Sequence, residues 1–162
     1  MLPRFRFRID SPSLRRRASG PLSSTLLAPV LALLRALCDA GHRVSLETSG
    51  ALPLEGVDPR VVKVVDVKTP ASGEAARNLY EQLRHLTPQD QVKFVICDRA
   101  DYEWSRERLR QLELADRCGV LFSPSWRDLP ARELADWILA DGLPVRLQVQ
   151  LHKLLWGDVP GR

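Results

Sequence analysis

The sequence predicts an α/β fold with mostly parallel strands, and three observations carry that prediction. Short runs rich in β-branched residues alternate along the chain with amphipathic segments of about 10–15 residues, the pattern of parallel pairing through right-handed crossovers. The strands end, one after another, in hydroxyl or charged side chains. After residue 24 the alternation runs on without a low-complexity linker or a sequence repeat, so the 162 residues read as one domain.

Ser24 and Thr25 are placed to cap a helix reaching about Ala40. Its apolar residues Leu27, Val30, Leu31, Leu34 and Cys38 share a face, and Gly41 stops it. A strand follows over Arg43–Thr48. A turn with Pro53, Gly56 and Pro59 leads into VVKVVDV, the strand Val61–Val67. Ala75, Leu79, Leu83 and Leu86 recur at helical spacing and predict a helix from Glu74 to Leu86, ended by Thr87–Pro88. Gln91–Cys97 is the next strand, Asp101–Arg117 a charged amphipathic helix, Gly119–Ser123 a strand, Pro130–Ala140 a helix and Val145–Leu151 the last strand. The ending HKLLWGDVPGR reads as too short and too rich in Gly and Pro for a further helix.

Composition excludes several classes. Hydrophobic residues are 44% and charged residues 27%, ordinary for a globular domain, and no apolar run reaches the length of a membrane span. The net charge of +4 misleads about partners. Six of the 24 basic residues and one of the 20 acidic ones fall within the first 17 positions, leaving 18 against 19 in the rest. The body is therefore near neutral, and no direct nucleic-acid partner is expected; a basic nucleic-acid-binding reading rests on those six arginines alone. Three dispersed Cys (38, 97, 118) without a signal peptide point to a reducing, cytoplasmic setting, and the three His (42, 85, 152) are as scattered, so a protein-only zinc site is not expected.

The strand ends are Glu47-Thr48-Ser49, Asp66-Lys68-Thr69, Asp98-Arg99, Ser123-Ser125 and His152-Lys153. Parallel strands carry their carboxyl ends to one rim, where α/β proteins bind ligands, so these groups are expected to meet at one mouth. The last strand splits into an apolar face (Val145, Leu147, Val149, Leu151) and a polar one (Arg146, Gln148, Gln150, His152). That polar face belongs to a ligand-filled interior or to an edge strand facing water. QVKFVIC divides similarly, with Gln91 and Lys93 on one side.

The motifs LLRALCDAGHRVSLETSG, VVDVKTP, QVKFVICDRADY, LFSPS and QLHKLLWGD, in that order over residues 31–162, resemble the C-terminal part of a 7-carboxy-7-deazaguanine synthase. Those are radical S-adenosylmethionine (SAM) enzymes of queuosine and 7-deazapurine biosynthesis. The resemblance implies a partial (β/α) barrel of the radical SAM type, truncated at its N-terminal side, using SAM, a [4Fe-4S] cluster and Mg²⁺. The implied reaction, that of a carbon-nitrogen lyase, contracts the small-molecule pterin 6-carboxy-5,6,7,8-tetrahydropterin to 7-carboxy-7-deazaguanine with loss of ammonia. By the same resemblance Glu47 and Ser49 lie beside SAM. Asp66, Val67 and Lys68 match a Ser-Pro-Lys stretch that touches SAM, with Lys68 alone kept in kind. Ser123, Pro124, Ser125 and Trp126 match a Gln-Pro-x-Asp stretch, with Pro124 alone agreeing. Gln150, His152, Trp156 and Asp158 are substrate candidates, and a homodimer is the assembly the resemblance allows.

The family's CxxxCxxC triplet does not occur in this sequence, and neither do the Mg²⁺-bearing threonine after it nor the Gly-Gly-Glu-Pro stretch. The chain by itself is therefore expected to be inactive, and its status as an enzyme is left open against a non-catalytic α/β ligand-binding module or one subunit of a split enzyme. Loss of the preceding strands is expected to leave a parallel sheet edge open. Residues 1–22 are expected to be a basic tail foreign to the family, disordered or translated out of frame. Arg15-Arg16-Arg17-Ala18 written CGG CGG CGA GCC reads Gly-Gly-Glu-Pro one base on. The gene sequence tests this: codons that cannot read so in another frame end the idea, and a transit-like or basic arm takes its place.

Overall fold

The computed structural model describes the backbone of residues 4–10, 16–21, 24–50 and 53–159, and side chains within those ranges from residue 27 onward. One sheet organises them. In chain order the strands are β1 (Arg4–Asp10), β2 (Arg16–Pro21), β3 (Arg43–Thr48), β4 (Val62–Val67), β5 (Gln91–Ile96), β6 (Gly119–Pro124) and β7 (Arg146–Leu147). They lie side by side in the order β2-β1-β3-β4-β5-β6-β7. From β3 to β7 every pairing is parallel, as expected, whereas β1 is antiparallel to both its neighbours. The edge of β3 expected to be open is paired along its length by β1, with Phe5 opposite Thr48 and Asp10 opposite Arg43, so its backbone groups have partners.

Helices α1 (Ser24–Asp39), α2 (Arg99–Gln111) and α4 (Ala131–Ala140) pack on β3, on β5 and on β6 with β7 respectively. The pleat decides which side chains meet them. Val44 and Leu46 on β3, Val65 and Val67 on β4, Val92, Phe94 and Ile96 on β5, and Val120 and Phe122 on β6 are all buried, and the register sets them on one face. Leu34 and Cys38 of α1 close the β3 end of this core; Tyr102 and Leu109 of α2 and Leu134 and Ile138 of α4 close the rest. Phe94 sits at its centre, edge-on to Phe122 at 5.5 Å and to Trp104 at 6.4 Å. Each such buried side chain contributes about 1.5–3 kcal/mol.

Three predicted elements need correction. No helix forms over Glu74–Leu86; the segment holds two 3₁₀ turns, Ala75–Arg77 and Tyr80–His85, and a third, Pro70–Ser72, precedes it. Leu83 and Leu86 still reach the core, but Asn78 between the turns is extended and its side-chain amide is engaged by the backbone of Lys68, just past β4. The predicted helix Asp101–Arg117 begins at Arg99 and is broken after Gln111 by Glu113 at φ +49°, which redirects the chain into the short helix α3 (Leu114–Arg117) and buries Leu114 completely.

The last strand shrinks to Arg146–Leu147, with one further bond from Gln148 N to Phe122 O at 2.9 Å. Its partner β6 ends at Pro124, which has no N–H to donate. The carbonyl of Gln150 then receives Lys153 N and Leu154 N, opening helix α5 (Leu151–Trp156) in the stretch expected to hold none. Gly157 at φ +70° follows it. Among the described residues no helix is long and apolar enough to cross a membrane.

Candidate functional site

The face of the sheet turned away from α1, α2 and α4 is polar. Ser45, Glu47, Val64, Asp66, Gln91, Lys93, Val95, Leu121, Ser123 and Arg146 occupy the alternate positions, in register across five strands. The division read from QVKFVIC holds, and that read from VRLQVQLH holds in part: β7 is an edge strand with Arg146 and Gln148 exposed and Val145 and Leu147 turned to the core, whereas Val149 and Leu151 of the predicted apolar face are exposed.

At the carboxyl end of β3, Ser49 and Gly50 turn the chain. Gly50 has φ +65°, and a Cβ there would lie 2.9 Å from Val65 Cγ1, so only glycine fits. The turn leaves Ser49 Oγ buried without a hydrogen-bond partner. One strand over, Lys68 Nζ donates to Asp66 Oδ2 at 2.8 Å, while Asp66 Oδ1 is buried and has no partner. Two unsatisfied polar atoms of this kind on one rim are costly unless something else bonds them.

Lys68 is held in place by its backbone. Asn78 accepts from Lys68 N at 2.9 Å and donates from Nδ2 to Lys68 O at 2.8 Å, the two-point bond a neighbouring strand would make. Below it, the carboxylate of Asp101, 1% exposed, gathers three segments. It accepts from Thr69 Oγ1 at 2.8 Å, Ala71 N at 3.0 Å and Cys97 N at 3.2 Å, while Asp101 N bonds the helix cap Asp98. The loop after β4 and the end of β5 are thus tied to the first turn of α2. Neither Asn78 nor Asp101 stood out in the sequence as a site residue, although an Asn inside a predicted helix is itself a signal, because its amide competes with the helical backbone.

The predicted site residues divide. Glu47, Ser49, Asp66, Lys68 and Ser123 lie on the polar face or its rim, with Ser123 3% exposed. Val67 is 3% exposed and packs in the core, so its backbone alone faces outward. Pro124 is buried in register with Ile96 on the core side. Ser125 bonds Asp128 through its hydroxyl and Ile96 O through its N–H, and Trp126 is exposed. Gln150, His152 and Trp156 are exposed on or beside α5, and among the described residues no hydrogen bond or ion pair joins them to Ser49 or Asp66.

Asp158 instead fastens the C-terminal segment: it binds Arg127 at 2.6 Å and Lys153 at 2.9 Å. Lys153 first and Arg127 second hold its carboxyl below the usual carboxylate range.

The thiols do not converge. Cys38 packs against Val44 and Leu46, Cys118 lies in the other cluster where burial pushes its thiol up to about 11, and Cys97 stands half-buried at the end of β5, also raised chiefly by burial. Cys118 is an apolar filler of its cluster, whereas Cys97 sits on the rim. Among the described residues no three His, Cys, Asp or Glu side chains form a metal-holding group.

No family model and no solved structure matches the chain. Curated relatives do. The 7-carboxy-7-deazaguanine synthase of Koribacter versatilis is 44% identical over 158 residues, covering 90% of this chain and 65% of the relative. That of Chlorobaculum tepidum is 37% identical over 150 residues, covering 91% and 67%, and that of Thermoplasma acidophilum 33% identical over 137 residues, covering 81% and 62%. The chain spans about two thirds of the length of these relatives. With identity at this level running through nine-tenths of its residues, the chain belongs to the 7-carboxy-7-deazaguanine synthase family.

Proposed function

We propose that this chain is the SAM-binding, substrate-facing portion of a 7-carboxy-7-deazaguanine synthase, acting on 6-carboxy-5,6,7,8-tetrahydropterin in 7-deazapurine biosynthesis. The observation that carries the reading is the pair of buried, unpartnered acceptors, Ser49 Oγ and Asp66 Oδ1, beside the Lys68 ammonium on the carboxyl rim. A nucleoside that also bears an amino-acid group offers hydroxyl and ammonium donors for such acceptors and a carboxylate for such a cation. Glu47, Ser49, Asp66 and Lys68 would hold it, with Ser123 farther along the face. When bound and cleaved by one electron delivered from outside the described residues, SAM would supply the hydrogen-atom abstraction with which the ring contraction begins. This chain's own residues bind and orient it, and Asn78 and Asp101 keep the rim in shape.

The residues present do not fit a [4Fe-4S] cluster or a protein-held Mg²⁺, and no step is drawn through either. In a second form of the same reading, a segment outside the described residues or another polypeptide supplies the cluster ligands, and the described residues alone do not turn over. In the same reading the chain works in the cytoplasm on a small pterin, touches no nucleic acid directly and pairs as a homodimer.

Calorimetric titration with S-adenosylhomocysteine tests the binding claim. Ser49→Ala and Asp66→Asn are each expected to weaken binding about 10-fold or more, because a hydrogen bond to a charged group is worth about 1.5–3 kcal/mol. Wild-type chain that binds no S-adenosylhomocysteine, or variants that bind it equally well, would rule the reading out.

A further inference from the structure

Lys68 stands one residue beyond β4, and its peptide group is bonded at both N and O by the side chain of Asn78. An amide side chain accepts at Oδ1 and has two hydrogens to donate from Nδ2. Asn78 gives Oδ1 to Lys68 N and one hydrogen to Lys68 O; the second hydrogen goes to Tyr80 Oη at 3.2 Å. Both ends of the amide are thereby used, in a single orientation. Asn78 lies between two 3₁₀ turns, outside any helix or strand, so these side-chain bonds are what hold it on Lys68.

Tyr80 is itself gripped from the helix layer. Its ring packs against the core, and the Arg108 guanidinium of α2 lies over it with Cζ 5.7 Å from the ring centroid. The same guanidinium covers Trp104 at 5.3 Å, and Arg108 Nε is buried without a hydrogen-bond partner. A cation partly stripped of water in this way is held by the ring faces. Contacts therefore run unbroken from α2 through Tyr80 and Asn78 to Lys68, and on to Asp66 Oδ2, which receives Lys68 Nζ at 2.8 Å. Tyr80 and Asn78 also line a small cavity with Ser49 and Gly50, over the apolar Val65 and Leu83. A rotation of the Tyr80 ring would release Asn78 and reshape the wall beside Ser49 together.

We propose that Tyr80 is a positioning residue of the rim. Its hydroxyl holds the Asn78 amide in place, and Asn78 fixes the Lys68 backbone from which the ammonium reaches Asp66. The consequence for ligand binding rests on the reading that Asp66 and Lys68 meet an S-adenosyl nucleoside; the consequence for Lys68 itself does not.

Tyr80→Phe removes the hydroxyl and keeps the ring under Arg108, which separates the bond from the packing. Amide hydrogen exchange followed by NMR on the full chain reads Lys68 N–H directly, with the amides of β5 reporting global stability. In Tyr80→Phe, Lys68 is expected to exchange about fivefold faster, the size of effect one neutral hydrogen bond gives, while β5 changes less than about twofold. Calorimetric affinity for S-adenosylhomocysteine should fall roughly three- to fivefold in the same variant. Asn78→Ala should lose more, and adding Tyr80→Phe to it should change little, because a residue that acts through Asn78 then has nothing to act on. Lys68 exchange that is unchanged in Tyr80→Phe, or accelerated no more than β5, would overturn the assignment, as would losses of affinity that multiply in the double variant. A wild-type chain that binds no S-adenosylhomocysteine, with Lys68 exchange still accelerated in Tyr80→Phe, ends the nucleoside reading and leaves the positioning role standing. Equal binding by wild type and Tyr80→Phe with unchanged exchange keeps the nucleoside reading and removes Tyr80 from the rim.

Discussion

Replacing Asp90 by alanine is expected to lower stability by about 3–5 kcal/mol, the usual cost of removing one partner from a buried ion pair. Asp90 and Lys63 meet at 2.9 Å with side chains 0% and 5% exposed, at the end of the sheet opposite the rim. The carboxylate does more than neutralise the ammonium. Oδ1 accepts from Lys63 N at 2.7 Å, and Oδ2 accepts from Thr87 N and Thr87 Oγ1. Its own carbonyl receives Gly119 N at the start of β6. Alanine would leave a buried ammonium and three donors without the carboxylate. For a chain of this size the loss corresponds to a fall in melting temperature of roughly 6–20 °C. The double variant Lys63→Met with Asp90→Leu should recover part of it, because packed apolar residues replace buried ion pairs at little cost. Urea denaturation of the three proteins decides the matter; an Asp90→Ala loss below about 1 kcal/mol would show that water already reaches the pair.

Why some of the fold could be read from sequence and some could not follows from where the deciding interactions lie. β4 and β5 were legible because VVKVVDV and QVKFVIC bury alternate side chains, and β6 because GVLFS is a short apolar run buried on both faces, so local pattern and tertiary packing agree. Residues 74–86 were misread because Leu83 and Leu86 do reach the core, satisfying the apolar spacing, while the backbone conformation is set from a distance. Asn78 bonds Lys68, and Gln82 Oε1 accepts from Leu54 N at 3.0 Å. Leu54 lies 28 residues from Gln82, and the bond from Asn78 to Lys68 leaves no periodic trace in the sequence. The C-terminal segment alternates like a strand, yet a strand needs a neighbour with free backbone groups, and the β6 residue level with Val149 is Pro124, its last, which has no N–H to donate.

The site was legible in outline for the same reason that β3 to β6 were: once the strands are parallel, their ends must share a rim. Ser49, Asp66 and Lys68 come together as that rule requires. Val67 and Pro124 do not, because a pleated strand sends adjacent side chains to opposite faces, and a contiguous motif always assigns one residue too many to the site.

Asp101→Ala is expected to separate rim geometry from ligand contact. The carboxylate satisfies Ala71 N and Cys97 N and shares the Thr69 hydroxyl hydrogen with Val95 O, so truncation strands the two N–H groups in a site of 1% exposure while the Thr69 hydroxyl keeps Val95 O. At about 1–3 kcal/mol for each unsatisfied buried donor, with some relieved by water, a loss of about 3 kcal/mol in urea denaturation is expected. The loop from Lys68 to Ala71 would lose its lower anchor while Asn78 keeps the upper one, so Lys68 should no longer hold Asp66 in a fixed position. Affinity for S-adenosylhomocysteine should then fall more than tenfold, measured at a temperature where the variant remains folded by circular dichroism. Asp101→Asn keeps one acceptor but turns an NH₂ toward backbone N–H groups, and should fall between wild type and alanine in both measurements. A variant that loses the stability yet binds S-adenosylhomocysteine as wild type does would show that Asp101 braces the fold without shaping the rim, and the Asp66–Lys68 pair would have to be positioned by Asn78 alone.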